Sequence, residues 1–123
     1  MTLQSLKTLL LAIGPPVFRY FATGQTGNYI VWAEDGEGDT VHADGRKVER
    51  AITGTIDYFT KTENDPVVQQ IEDALDTDDS LAWQLNSVQY EQDTGYIHYE
   101  WVFEIDGAEE VDDDGQDGSQ RTG

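Results

Sequence analysis

His42 and His98 are the only imidazoles in the chain, so acid–base catalysis by histidine near neutral pH would have to use one of them. They fall in different predicted strands, and no catalytic motif surrounds either. The expectation is a histidine without a catalytic role. The chain has no cysteine, which removes thiol chemistry, disulfides and every zinc site built on thiolates. No glycine-rich phosphate loop follows a strand, and there is neither a nucleophile elbow nor a histidine pair at zinc spacing. Two acidic runs, Asp35-Gly36-Glu37-Gly38-Asp39 and Asp112-Asp113-Asp114-Gly115, resemble ion-binding loops superficially. Both lack the twelve-residue spacing and terminal bidentate Glu of an EF-hand, so they suit weak divalent-ion binding at most. The sequence therefore predicts no enzyme, no cofactor and no dedicated metal.

Charge is the strongest global signal. The formal net charge is −18, and it is unevenly placed. Residues 1–60 carry seven acids against five bases; residues 61–105 carry eleven against Lys61; residues 106–123 carry seven against Arg121. Such a chain repels nucleic acid and anionic membranes. Its acidity fits a DNA mimic, a basic partner or a surface that must not stick to DNA. It equally fits plain solubility or salt adaptation.

With 123 residues there is room for one domain, placed at residues 1–106, with an acidic tail at 107–123 expected to be disordered. The apolar stretch Leu3–Ile13 lacks the basic flank and cleavage site of a signal peptide and is too short to span a bilayer. Leu3, Leu6, Leu9, Leu10 and Ile13 instead recur at helical spacing. Thr2 can cap that helix, and Gly14-Pro15-Pro16 ends it. Strands are expected at Val17–Thr23 and Asn28–Glu34, then a turn at Asp35–Gly38 and a short strand near Thr40–Ala43. Asp44-Gly45 fits a tight hairpin turn. A long strand follows over Lys47–Phe59, where Gly54 signals a bulge or a close backbone approach.

Asp65-Pro66 opens a second helix with its stripe at Val67, Val68, Ile71, Ala74 and Leu75. It should stop near Leu75 or Asp76, because acids are disfavoured at a helix C-terminus. Strands at Leu81–Gln92 and Tyr96–Ile105 close the order, joined through Gly95. In the last strand Ile97, Tyr99, Trp101, Phe103 and Ile105 share one face, and Tyr96, His98, Glu100, Val102 and Glu104 the other. The predicted class is α+β: a mixed or antiparallel sheet with two helices on one face, in the order α-β-β-β-β-α-β-β.

The basic inventory is three lysines and four arginines. Its one cluster, Arg46, Lys47 and Arg50, is too small for a DNA-binding footprint. It suits either a solvated hairpin or a patch facing an acidic neighbour, such as another copy of this chain. Asp39, His42, Arg46, Lys47, Arg50, Tyr96 and His98 are the candidate protein-contact residues.

The stretch Ile52-Thr53-Gly54-Thr55-Ile56-Asp57-Tyr58-Phe59, the helix opened by Asp65-Pro66, and Tyr90-Glu91-Gln92-Asp93-Thr94-Gly95-Tyr96-Ile97-His98-Tyr99-Glu100-Trp101 together resemble small prophage proteins. These are grouped with the phage tail-terminator and head–tail joining (tail-completion) proteins, similar to the lambda-like tail terminator. The resemblance implies a sheet flanked by helices and a ring-forming homo-oligomer, usually a hexamer. That ring caps the tail tube, binds the tail-tube protein and offers a surface to the head connector. It would act in the host cytoplasm during assembly and then in the virion tail, with no sequence-specific nucleic-acid contact and no membrane. The alternative expectation is an acidic DNA-mimic inhibitor of a nucleic-acid-processing enzyme, with acids along one rigid face.

Overall fold

A computed structural model describes residues 1–37 and 51–106. Among them the order is α1 (Leu3–Leu11), β1 (Val17–Arg19), β2 (Tyr29–Glu37), β3 (Ala51–Thr60), α2 (Pro66–Leu75), β4 (Leu81–Glu91) and β5 (Tyr96–Asp106). The five strands form one mixed sheet in the order β1-β2-β3-β5-β4. β1 runs parallel to β2 and every other pairing is antiparallel. This is the expected α+β fold. The short strand at 40–43, the Asp44-Gly45 turn, the 47–50 start of the long strand and the tail at 107–123 lie outside the described residues.

Both helices pack on the same face of the sheet. Leu6 and Leu10 of α1 and Ile71 and Leu75 of α2 meet Ile30, Trp32, Ile56, Tyr58, Trp101, Phe103 and Ile105 in one buried cluster. Register explains why these residues coincide. Trp32 lies opposite Ile56, and Ile56 opposite Trp101, so alternation sends all three to one side. Gly54 belongs to this face. A Cβ added there would collide with the Ala33 carbonyl oxygen and would lie 2.5 Å from Cζ of the Phe103 ring. The close approach anticipated at Gly54 is thus steric: a neighbouring strand and an aromatic ring fill the space.

Local chemistry fixes the helix ends. Thr2 and Ser5 form a reciprocal capping box on α1. Asp65 caps α2 through the Val67 amide at 2.9 Å, and Pro66 occupies the first turn, where its missing N–H costs nothing. Asn64, just before the cap, sits at φ 55°, a conformation asparagine tolerates better than most residues.

Three boundaries differ from expectation. β1 ends at Arg19 instead of Thr23, because Tyr20 adopts φ 78° and turns the chain out of the sheet. The predicted turn at Asp35–Gly38 is instead the end of β2 through Glu37, with a bulge between Glu34 and Gly36 that absorbs the extra residue. α1 stops at Leu11, short of Ile13.

Candidate functional site

The face of the sheet opposite the helices carries a concentration of polar and aromatic side chains; a second cavity of about 380 Å3, lined by Asp35, Thr53, Trp83, Gln84, Phe103 and Glu104, lies elsewhere on the sheet. Alternation places Tyr29 and Val31 of β2, Asp57 and Phe59 of β3, and Tyr96, His98 and Glu100 of β5 on this side. Phe59 stands directly opposite both Tyr29 and His98. The three rings stack across the strands, with centroids 4.6 Å apart for Tyr29–Phe59 and 4.2 Å for Phe59–His98. Tyr96 meets Tyr29 and Phe59 edge-on.

His98 is held between carboxylates from two neighbouring strands. Its Nε2 lies 2.7 Å from Asp57 Oδ1, and its Nδ1 lies 3.5 Å from Glu91 Oε2. The hydrogen bond to Asp57 raises the His98 pKa above its ordinary value; burial opposes this, and the charges of Asp57, Glu91 and Glu100 reinforce it. With a carboxylate beside each nitrogen, the protonated ring is favoured. It joins β3, β4 and β5, and neither nitrogen is left open toward a substrate.

A slot of about 300 Å3 opens beside this pair. Tyr29, Val31 and Phe59 form its floor, Tyr20 and Phe21 one wall, and Asp57 and His98 the other. Burial raises the Tyr29 pKa, so its phenol stays protonated at neutral pH. The described residues around the slot offer aromatic stacking surfaces and charge.

A second surface lies at the sheet's outer edge. β4 is the last strand, and no described residue pairs with its outer side. Leu85, Val88 and Tyr90 lie opposite Trp101, Tyr99 and Ile97, on the helix side of the sheet. They are 39%, 51% and 65% exposed, because α2 covers only the other end of the strand, where Asp76 receives the Trp83 indole N–H at 2.8 Å.

Of the contact residues drawn from the sequence, Asp39, His42, Arg46, Lys47 and Arg50 lie outside the described residues. Tyr96 and His98 come together on the open face. Tyr96 is only 5% exposed, and its hydroxyl donates within reach of the Gln25 and Gly27 carbonyls at 3.0 and 2.8 Å. It therefore anchors the loop before β2 and presents little surface to a partner. Sequence reasoning missed Asp57, Phe59 and Glu91 as neighbours of His98, and Leu85, Val88 and Tyr90 as an exposed set. Period-two alternation puts Asp57 and Phe59 on one face, but their pairing with His98 depends on strand order.

Among the described residues no group of three or more acidic or histidine side chains gathers as a metal site, and no helix is long and apolar enough to cross a membrane. No protein-family model matches the chain, and no curated protein matches it either.

Proposed function

We propose that this chain is a structural assembly subunit of a tailed phage or prophage. In this reading it is a tail-terminator or tail-completion protein that binds copies of itself in a ring, caps the tail tube and joins it to the head connector. Its work is noncovalent contact, carried out during assembly in the host cytoplasm and retained in the virion tail. The ring, its usual six copies and the two partners come from the resemblance of residues 52–59, 65–66 and 90–101 to that family.

The observation that carries the assembly reading is the β4 edge. Outer strands of proteins that remain alone are commonly protected by lysine, proline or inward-pointing charge. Residues 81–90 carry no lysine, proline or charge: Leu-Ala-Trp-Gln-Leu-Asn-Ser-Val-Gln-Tyr is wholly uncharged, in a chain of net charge −18, and a bulge between Leu85 and Ser87 divides the edge into two regular stretches. Eleven residues of backbone and the exposed Leu85, Val88 and Tyr90 offer ladder hydrogen bonds and apolar contact together. The DNA-mimic reading has less support, since acids on the open face are interspersed with stacked aromatic rings.

Native mass spectrometry and light scattering, on the chain alone and mixed with the tail-tube protein of the same phage, test this. The expected result is a discrete ring-sized oligomer, or its formation on tube ends. A double change of Val88→Asp and Tyr90→Asp should abolish it while the melting temperature moves little, because both side chains are surface-exposed. A chain that stays monomeric at high concentration and ignores tube ends would refute the proposal.

A further inference from the structure

The open-face slot has a chemistry that the edge-strand contact does not use. Its floor and one wall are aromatic or apolar, and its other wall is the Asp57–His98 pair. Around it stand three carboxylates, Asp57, Glu91 and Glu100, all close enough to act on the His98 charge. Of these only Asp57 lines the slot; with His98 protonated the two form a neutral pair, and the surplus negative charge comes from Glu91 and Glu100 beside His98. Among the described residues no lysine or arginine lines the slot; Arg19, 5.2 Å from the Tyr20 ring centroid, is paired with Glu34 at 2.7 Å. Phe21 is 72% exposed at the rim and Tyr20 is 58% exposed beside it. Tyr20 holds the left-handed φ of 78° that turns this loop away from the sheet. Its amide donates to the Trp32 carbonyl at 2.8 Å and its hydroxyl donates to Glu34 at 2.9 Å. Two anchors therefore maintain a costly conformation beside an apolar ring left in water.

Three classes of occupant can be compared. An anionic group meets Asp57 at the wall and the Glu91 and Glu100 charges beyond it, and is repelled. A purely aliphatic group would cover Asp57 and His98 without pairing with the surplus negative charge, which costs desolvation without return. A guanidinium group satisfies every wall at once. Its plane stacks on aromatic faces, its stem lies along apolar surface, and its charge answers the carboxylates. The protein already makes such contacts internally: the Arg19 guanidinium lies 4.7 Å from the Trp32 ring centroid, and the Lys61 ammonium 4.8 Å from that of Tyr96. We infer that the slot between Phe21 and the Asp57–His98 pair is a docking site for an arginine side chain presented by a partner protein. It stands on the open face and is independent of the assembly contact at β4.

The test is a titration of the full-length, isotope-labelled chain at low ionic strength with the peptide acetyl-Gly-Arg-Gly-Arg-Gly-amide, followed by NMR. A matched peptide carries citrulline, an uncharged isostere of arginine, at both positions. The arginine peptide should give saturable shifts at Phe21, Tyr29, Phe59 and His98, and the citrulline peptide should give none. Phe21→Ala removes an exposed ring, so the fold should survive. It should weaken binding two- to five-fold, the range expected for one cation–π contact at an exposed site. Asp57→Asn provides a second variant: it removes wall charge and should also weaken binding. Three outcomes would overturn the inference: shifts confined to residues 107–123 or to the acidic α2–β4 region, equal binding of the citrulline peptide, or an affinity unmoved by both substitutions.

Discussion

Replacing Asp65 with alanine should be among the most damaging single changes to a partly exposed residue in this protein. The carboxylate does three jobs at once. One oxygen accepts from the Val67 amide at 2.9 Å and caps α2. The other accepts from the Tyr58 hydroxyl at 2.6 Å and the Thr60 hydroxyl at 2.7 Å. Tyr58 and Thr60 are 0% and 1% exposed, so both donors would lose their acceptor where water enters poorly. Loss of the cap costs about 1 kcal/mol, and each hydroxyl bond to a charged acceptor contributes about 1.5–3 kcal/mol. The bonds that Tyr58 and Thr60 accept, from the Asn28 side-chain amide at 2.8 Å and the Thr62 amide at 3.1 Å, do not replace the ones they donate, but the two donated bonds share one carboxylate oxygen and so add to less than their sum. The expected cost is about 3–5 kcal/mol, a large share of the roughly 5–15 kcal/mol that holds a domain together. The melting temperature should fall by roughly 15–30 °C.

The assay is urea unfolding read by tryptophan fluorescence and by far-ultraviolet circular dichroism, alongside a thermal melt. Asp65→Asn keeps an acceptor oxygen for the cap but loses the charge, and should fall between wild type and alanine. Burial tends to raise the Asp65 pKa, but the bonds from Thr60, Tyr58 and Val67 outweigh it and hold it below the ordinary value. A carboxylate lowered on folding stabilises the protein above its unfolded pKa, and that contribution is lost as pH falls through the folded pKa. The gap between wild type and Asp65→Ala should therefore narrow in acid, below about pH 4. A cost under about 1 kcal/mol at neutral pH, the size of an isolated cap, would refute the reasoning that one carboxylate unites the cap with two buried hydroxyls.

The pH response of His98 has the opposite sign. Its pKa is raised on folding, so its contribution is complete below the unfolded pKa near 6.5 and disappears as pH rises through the folded value. Wild type should lose stability relative to His98→Gln across that interval, and Asp57→Asn should cost about 1.5–3 kcal/mol below it; pH-resolved urea melts would show either effect. Gly54→Ala should destabilise by about 1–3 kcal/mol, since the new methyl meets the Ala33 carbonyl oxygen and the Phe103 ring. A neutral result in the same melts would show that β2 and β3 can separate without penalty.

How much was legible in the sequence follows from which signals are local. Asp65-Pro66, Thr2 and Gly95 act within a few residues of themselves, and their cap and turn roles were readable. The strict alternation of residues 96–105 fixed which side of β5 faces the helices. Strand order is a different kind of fact. Nothing local to His98 says that β3 lies on one side of it and β4 on the other, and the Asp57–His98–Glu91 bridge exists only because of that order. Tyr20 hid the end of β1 for the same reason: Tyr-Phe-Ala-Thr has strand composition, but the tertiary bonds to Trp32 and Glu34 hold φ at 78° and override propensity. The exposure of Leu85, Val88 and Tyr90 could not be foreseen either. Their pattern is that of a core strand, and only the position of α2 leaves them bare.

The distribution of charge links the two surfaces. A body of net charge −18 resists close approach by another copy wherever carboxylates would face one another. Residues 81–90 are the longest uncharged run within any described strand, and they form the sheet's outer edge. Self-association through β4 brings no charged side chain of that run against its counterpart, and at strand-pairing distance this absence of repulsion matters as much as the hydrogen bonds gained. The open face has the reverse character. Its aromatic rings would suit a second copy, but Asp57, Glu91 and Glu100 would meet like charge there, so the face would favour the cationic side chain proposed above. Both surfaces arise from the same sheet. In the proposed assembly the uncharged edge would receive an identical chain, and the carboxylates around His98 would receive only a chain of opposite sign.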